Sequence, residues 1–275
     1  MTDEKLLTAE EKWEKATIAN NFIFYKVMRH NPDVCRELLE ILLEMQIDRM
    51  EMHGEETIET DFASKGIRLD VYAKNETSAY NIELQAADTK ELPERARYYQ
   101  GVMDVDCLKS GQKYRELKNS YVIFICIQDI FNSGLPVYTF ENTCREDGSI
   151  RLGDRAYKYF FIAKNCDRIL DGRQKSFLKL VAGQKAEDAF SRKIERLADE
   201  ARHNTQWKRQ YMEWERQRAY DYEAGNEAGI QTGLKRKAVE AANNLLKIDI
   251  LSPEQIAQAI GLPLEQVLQL KTQIH

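Results

Sequence analysis

Two short runs of alternating residues, joined by a polar turn, constrain the fold most strongly. In residues 67–73 every second side chain is apolar, and polar side chains such as Asp70 stand between them. This alternation is typical of a half-buried β-strand. Residues 80–85 alternate in the same way, and the polar residues 74–78 separate the two runs. The pattern therefore predicts a β-hairpin.

The hairpin brings acidic side chains together on one face. Pairing registers whose residue numbers sum to an odd value put Asp70 on the same face as Glu83 and Gln85. One such register puts Asp70 directly opposite Glu83, where two carboxylates about 5 Å apart repel each other unless a cation lies between them. Mg²⁺ and Mn²⁺ prefer oxygen ligands, so the hairpin predicts a divalent-metal site. The alternative interpretation is a solvated strand face that binds nothing.

Helical patterns and further apolar runs surround the hairpin. Thr8 and Glu11 form a predicted capping box, and residues 31–33 break and restart the chain. The short apolar run 121–127 predicts a buried strand. The predicted elements are a helix over residues 9–30, a helix over 34–45, the hairpin, a helix over 93–108, and strands over 121–127, 137–140 and 157–163. Together they predict an α/β domain, with helices outside a mixed sheet, that ends near Val181.

The sequence changes character after Gln184. Residues 187–222 mix charges of both signs in a helical pattern, which predicts an accessory arm. Trp207, Tyr211 and Trp214 are spaced for one face of this arm, where packing is a more common role than stacking on bases.

Three glycines and a compact C-terminal motif follow the arm. Gly225, Gly229 and Gly233 fall along one helical stripe, which predicts a flexible or dimerising connector. Ser252 begins a predicted helix and Gly261 ends it, so the last segment resembles a helix-turn-helix unit that either reads DNA or dimerises. The predicted divisions are a nuclease-like core over residues 1–184, a charged helical arm over 185–224, and a connector with the helix-turn-helix-like segment over 225–275.

Composition limits the functional classes. The 275-residue chain is 43% apolar and carries a net charge of -5, so contact with nucleic acid must come from local basic clusters. A metal-dependent nuclease is less affected by this charge, because its site needs acids. Five scattered cysteines without a C-x-x-C pair argue against a zinc site. No run approaches the ~18 apolar residues of a membrane span, so we expect a cytoplasmic protein without membrane contact.

The hairpin segments 66–72 and 81–85 resemble the catalytic hairpin of the PD-(D/E)XK nuclease superfamily. Residues 95–100 and 138–142, the glycine repeat and the C-terminal motif are similar to the branch known as recombination-promoting nucleases or PD-(D/E)XK family transposases. This resemblance implies a restriction-endonuclease-like α/β fold, a mixed sheet flanked by helices, with a C-terminal helical extension. It also implies a DNA endonuclease that uses Mg²⁺ or Mn²⁺ and is linked to recombination or mobile elements.

The same resemblance implies which residues hold the metal ion. Asp70 and Glu83 occupy the two acidic positions of the motif, as catalytic residues and metal ligands. Glu40, on the second predicted helix, fits the family's helical acid that completes the metal shell. Glu37 and Glu44 lie on the same helix and are rivals for this role.

Two positions depart from the motif. Leu69 replaces a proline that has no chemical role. Gln85 replaces a lysine that would orient the attacking water and offset negative charge on the phosphate, whereas glutamine only forms hydrogen bonds. Gln85 is therefore predicted to be a catalytic residue that positions water, and Arg97 and Arg68 are candidates for supplying the missing charge.

Contacts with DNA are predicted around the hairpin and on the helix that follows it. The nucleic-acid-binding candidates are Arg68, Arg97, Tyr98 and Gln100. The alternative for Arg97, and for the nearby Arg95, is an ion pair on the helix surface with Glu91 or Glu94.

Two other functions fit the same residues. One is a catalytically silent DNA-binding or regulatory protein that keeps the nuclease fold, and the other is a defence or RNA-directed nuclease with the same site. Loss of metal-dependent cleavage in Asp70→Ala tests the first, and a comparison of DNA with RNA substrates tests the second. DNA is the expected partner, and a homodimer through the C-terminal region is a further expectation.

Overall fold

The structure is a computed structural model that describes residues 7–52, 70–86, 90–248 and 250–274. The chain forms two compact units, residues 1–211 and residues 212–275. Of the helices described, none is long and apolar enough to cross a bilayer.

The first unit is built on a mixed sheet, which has six strands within the described residues. In chain order these strands are β1 (Glu51–Met52), β2 (Val71–Lys74), β3 (Ser78–Gln85), β4 (Asn119–Cys126), β5 (Val137–Phe140) and β6 (Ala156–Ile162). They lie in the order β1-β2-β3-β4-β6-β5. β4 pairs in parallel with both β3 and β6, and the other neighbours are antiparallel. This sheet and its flanking helices confirm the predicted α/β class and agree with a restriction-endonuclease-like fold.

Helices surround this sheet. Those of the first unit are α1 (Ala9–Glu14), α2 (Asn21–His30), α3 (Pro32–Leu43), α4 (Leu92–Cys107), α5 (Gly172–Val181), α6 (Ala189–His203) and the start of α7 (Thr205–Ile248). Thr8 and Glu11 form the predicted capping box of α1. The single helix predicted over residues 9–30 is wrong, because Asn20 caps a new helix by accepting hydrogen bonds from the backbone N–H groups of Phe22 and Ile23.

Helix α4 covers one face of the sheet. Its buried side chains Leu92, Ala96, Tyr99 and Met103 recur at helical spacing. The strand side chains that pack against them include Ala79, Val122, Phe124, Cys126, Phe160 and Ile162. Side chains on the other face of β3, such as Ile82, are also buried. The hairpin face that the alternation marked as polar is therefore an internal layer beneath α4.

The first unit extends well beyond the predicted boundary at Gln184. Helix α6 contacts α2 and α5 and buries Phe190 and Ile194. At the start of α7, the ring of Tyr211 lies 5.1 Å from that of Trp13. These apolar contacts make the first part of the predicted arm an integral part of the core, and Tyr211 packs inside it.

The second unit is helical. It contains the rest of α7, α8 (Pro253–Ile260) and α9 (Leu264–Ile274). Ala242 of α7 is buried together with Ile256 and Val267 in a small apolar core. Ser252 caps α8 with a capping box, and Gly261 ends it in a left-handed conformation at φ 69°, as the sequence indicates. The glycine repeat lies within α7, where added Cβ atoms would meet open space.

Candidate active site

The hairpin register places Asp70 beside Glu83. Val71 pairs with Ile82 and Tyr72 pairs with Asn81, so the residue numbers of each pair sum to 153. Asp70 immediately precedes β2, and its backbone N–H donates a hydrogen bond of 3.1 Å to Oε1 of Glu83. This register is the one that the alternation predicts for two acids on one face.

Glu83 is buried, with 3% of its surface exposed. Its Oε1 also accepts a hydrogen bond of 3.2 Å from Nδ2 of Asn81. Its Oε2 lies 3.3 Å from Nη2 of Arg95. Burial and the negative charge of Asp70 raise the pKa of the Glu83 carboxyl well above its usual range, and these effects outweigh the donors that surround it. The alternative of a solvated strand face is therefore wrong for Glu83.

Arg95 is the basic side chain that completes this cluster. It lies on the first turns of α4, and its Nη1 donates a hydrogen bond of 3.0 Å to Oε1 of Gln85. The hydroxyl of Tyr99 accepts from Nη2 at 3.0 Å. The guanidinium also lies 5.4 Å from the ring centre of Tyr99 and 5.6 Å from that of Phe124. A surface ion pair between Arg95 and Glu91 or Glu94, the alternative given by helical spacing, is not the arrangement found.

Asn81 is a site residue that the sequence interpretation missed. It is fully buried on the same face as Glu83, and no residue that the structure describes donates a hydrogen bond to its Oδ1. Burying an amide oxygen without a hydrogen-bond donor costs free energy of folding, so its position next to a carboxylate calls for a functional explanation. The signal was available, because a residue two positions before Glu83 in a strand must share its face.

Glu40 is not brought into this cluster. Its Oε1 accepts from Nη1 of Arg36 and from the backbone N–H of Ile47, both at 3.0 Å. Glu37 pairs with Arg173, and Glu44 ends α3 in a left-handed conformation at φ 52°. Within the described ranges, no three His, Cys, Asp or Glu side chains form a group that could hold a metal ion. Within these ranges Asp70 and Glu83 lie together on the hairpin, and Glu40 as a third metal ligand stays a prediction.

The donors at the hairpin nevertheless suit a hard divalent cation. The carboxylate oxygens of Asp70 and Glu83 and the buried Oδ1 of Asn81 are oxygen ligands of the kind that such cations prefer, and Arg95 interacts with both acids. Mg²⁺ and Mn²⁺ prefer such oxygens, and Mg²⁺ commonly uses one or two carboxylates, with water and substrate phosphate completing its shell. The residues present therefore fit the metal implied by the resemblance in donor type, although they do not form a closed cage.

The predicted DNA-binding residues lie in different environments. Arg97 is exposed and Tyr98 is 41% exposed, both on the outer side of α4. Gln100 is 5% exposed, and its amide donates to the backbone oxygen of Ser120 at 3.1 Å. Burial corrects the expectation for Gln100, because a side chain inside the core does not reach DNA. Arg68 lies outside the described residues.

Comparisons with known proteins identify a family resemblance. Residues 19–140 match a family model described as PD-(D/E)XK nuclease family transposase. This segment includes α2, α3, the hairpin, α4, β4 and β5, and therefore every residue of the cluster around Glu83. Neither the curated proteins nor the solved structures contain a significant match to the chain.

Proposed function

Because residues 19–140 belong to the PD-(D/E)XK nuclease family transposases, we propose that this protein is a divalent-metal-dependent endonuclease that hydrolyses phosphodiester bonds of DNA. The family makes a nuclease linked to mobile elements the coarse function. The metal requirement, the DNA substrate and cleavage within a strand are the finer parts of the proposal. A DNA substrate is also compatible with the expected cytoplasmic location.

One observation carries the proposal. Asp70, which is partly buried, lies opposite the buried Glu83 on the hairpin, and the backbone N–H of Asp70 donates a hydrogen bond of 3.1 Å to the Glu83 carboxyl group. A fold gains little stability from two adjacent acids when one of them is buried, since burial and mutual repulsion disfavour its charged form. Such an arrangement is typical of sites that bind a cation or handle protons.

The reaction would use the described residues as follows. Asp70 and Glu83 would hold Mg²⁺ or Mn²⁺, and Gln85 would orient the attacking water through its side-chain amide. When bound, the metal ion supplies positive charge that activates water and stabilises charge on the phosphate. The water oxygen forms a bond to phosphorus while one P–O ester bond breaks, and the leaving oxygen takes up a proton. The products are a phosphate monoester and a hydroxyl group.

Exposed side chains of α4 are candidates for contact with DNA. Arg97 and Tyr98 lie on the outer surface of the same helix that carries Arg95. A basic and an aromatic side chain can contact phosphate and base without sequence preference. We retain both as proposed DNA contacts. The helix-turn-helix-like segment is a second proposed contact, with homodimerisation as its alternative role.

The direct test is cleavage of supercoiled plasmid by the purified full chain with Mg²⁺, Mn²⁺, Ca²⁺ or EDTA. We expect nicked and linear products with Mg²⁺ or Mn²⁺, no products with EDTA, and loss of activity in Asp70→Asn. Glu94→Gln, which removes an exposed acid from α4, is the matched control and should cut like the wild type. An Asp70→Asn protein that folds and cuts at the wild-type rate would contradict the site.

A silent DNA-binding protein is the second candidate, and one feature favours it. Gln85 stands at the lysine position of the motif, and the helical acid Glu40 is engaged elsewhere. If this candidate is correct, plasmid binding will be measurable by gel shift while no metal ion produces cleavage. Parallel assays on single-stranded RNA decide whether a nuclease activity is directed at RNA instead.

A further inference from the structure

The motif position that normally carries a positive charge is neutral in this chain, yet a cation lies next to it. The side chain of Gln85 accepts a hydrogen bond of 3.0 Å from Nη1 of Arg95. Nη2 of the same guanidinium lies 3.3 Å from Oε2 of Glu83. One arginine on α4 therefore contacts both C-terminal polar positions of β3.

The guanidinium of Arg95 is held in a fixed orientation. Two of its nitrogens lie within hydrogen-bond distance of the Tyr99 hydroxyl, at 3.0 and 3.3 Å. The ring of Phe124 supports it from the sheet, at 5.6 Å. The side chain remains 29% exposed, so an anion can still reach it. Fixed orientation with partial exposure is the requirement for a group that stabilises charge during a reaction.

The other described candidate for the missing charge is not placed at Gln85. Arg97 follows Arg95 by two residues, which is about 200° around a helix. It is exposed on the outer side of α4. A charge there can attract DNA but does not reach the layer beneath the helix.

Resting on the nuclease function proposed above, we propose that Arg95 takes the place of the motif's lysine and binds the phosphate that is cleaved. Without metal or DNA, the guanidinium of Arg95 pairs with the Glu83 carboxyl group. When a divalent cation occupies the two acids, Glu83 no longer needs the guanidinium, and a phosphate oxygen replaces the carboxylate as its partner. The planar fork of arginine matches phosphate as well as carboxylate, so the exchange needs little movement.

The test moves the positive charge between the two positions. Arg95→Gln should lower the single-turnover rate of plasmid cleavage at saturating Mn²⁺ by about 100-fold, the effect of losing one well-placed donor. Adding Gln85→Lys to this variant should restore the rate to within roughly tenfold of wild type, because a lysine then stands at the motif position. Arg95→Lys, which keeps the charge but loses the fork, should retain an intermediate rate. Arg196→Gln, an exposed change of the same kind on α6, is the control.

A second measurement does not depend on cleavage. Mn²⁺ binding, followed by calorimetry in the absence of DNA, should be roughly tenfold tighter in Arg95→Gln, because a like charge next to Glu83 has been removed. A purely structural role would weaken metal binding together with folding, and Gln85→Lys would not rescue it. Arg95→Met, which also removes the charge but keeps an unbranched apolar stem, supplies the same comparison if Arg95→Gln does not fold.

Several results would overturn the inference. Wild-type cleavage with an unchanged rate in Arg95→Gln, or a slow Arg95→Gln protein that Gln85→Lys fails to rescue, would mean that Arg95 does not replace the lysine. Unchanged or weaker Mn²⁺ binding in a folded Arg95→Gln protein would exclude the exchange of partners. A wild-type protein that cuts no DNA with any metal ion would instead remove the proposed function itself, and the inference with it.

Discussion

Helix α4 is joined to the hairpin by an ion pair at each end, and the two pairs have opposite polarity. At one end the acid Glu83 is on the strand and the base Arg95 is on the helix, 3.3 Å apart. At the other end the base Lys74 is on the strand and the acid Asp106 is on the helix, 2.5 Å apart. The same helix and the same sheet face therefore offer a direct comparison between two partly buried ion pairs.

The two acids respond to burial in different ways. Burial acts to raise the pKa of Asp106, but the hydrogen bonds from Lys74 and Tyr72 outweigh it and leave this pKa below its usual range. For Glu83 burial and the charge of Asp70 prevail, and the pKa is raised. The hydrogen bonds to Asp106 outweigh its burial, whereas burial and the charge of Asp70 outweigh the donors around Glu83. The difference separates a contact that holds the helix from the site that we propose binds a cation.

The largest expected effect is on cleavage. Glu83→Gln keeps the shape of the side chain but removes its charge, so we expect a loss of roughly 1000-fold in single-turnover cleavage with Mg²⁺. Thermal denaturation in EDTA should show little loss of stability, because the buried charge that is removed was unfavourable. Cleavage that persists near the wild-type rate would erase the distinction between the two ends of α4.

The matched change at the other end should affect stability instead. Asp106→Asn leaves Lys74 without its anionic partner in a site where both side chains are 17% exposed. We expect a decrease of about 2 kcal/mol in the free energy of unfolding, measured by urea denaturation. The cleavage rate, measured at urea concentrations below the unfolding midpoint, should stay close to that of the wild type. A large loss of activity without loss of stability would assign the second pair to the active site as well.

The pH dependence of stability should run in opposite directions at the two ends. Glu83 has a higher pKa in the folded state than in the unfolded state. Its contribution to the free energy of unfolding is therefore present below the unfolded-state pKa and is lost as the pH rises through the folded-state pKa. The lowered pKa of Asp106 means that its contribution is present above the unfolded value, near 3.8, and is lost as the pH falls through the folded one.

Melting temperatures without metal test these directions. Between about pH 5 and about pH 8, Glu83→Gln should gain stability relative to wild type as the pH rises. The deficit of Asp106→Asn should stay constant over that range and shrink below about pH 4. Parallel curves for the two variants would mean that the two acids have similar environments.

The smallest expected effect concerns Gln85→Lys in the otherwise wild-type chain. From the sequence alone this change would restore a missing charge and accelerate cleavage by up to about tenfold. With Arg95 already hydrogen-bonded to Gln85, the new ammonium would meet a guanidinium, and we expect a rate about threefold lower. The measurement is the single-turnover cleavage rate of Gln85→Lys at saturating Mn²⁺. An acceleration would show that Arg95 does not supply the charge.

The hairpin was predictable because its alternation has a period of two, and only odd register sums place the acids together. The strands over 119–126 and 137–140 followed from their apolar, β-branched composition. The break in the helix before Asn20 was harder to predict from the sequence. Asn20 caps a new helix, but the apolar spacing on both sides of it favours one continuous helix.

The partner of Glu83 could not be read from spacing. Helical rules pair Arg95 with acids three or four residues away, and Glu91 satisfies that rule. The contact that forms instead depends on how α4 lies across the sheet, which is a tertiary property. The same reason explains α6, whose charged sequence suggested an exposed arm although its apolar stripe is buried.

The short turn between β2 and β3 also affects which insertions and deletions a related gene can carry without loss of the site. Oδ1 of Asn75 accepts from the backbone N–H groups of Thr77 and Ser78 and sets the length of this turn. If gain or loss of a single codon there shifted the pairing by one residue, Asp70 and Glu83 would lie on opposite sides of the sheet. A gene with such a change would still encode both acids while its product lost the site. A comparison of related genes should therefore check two things: whether both acidic codons are present, and whether the number of codons between them remains odd or even as it is here.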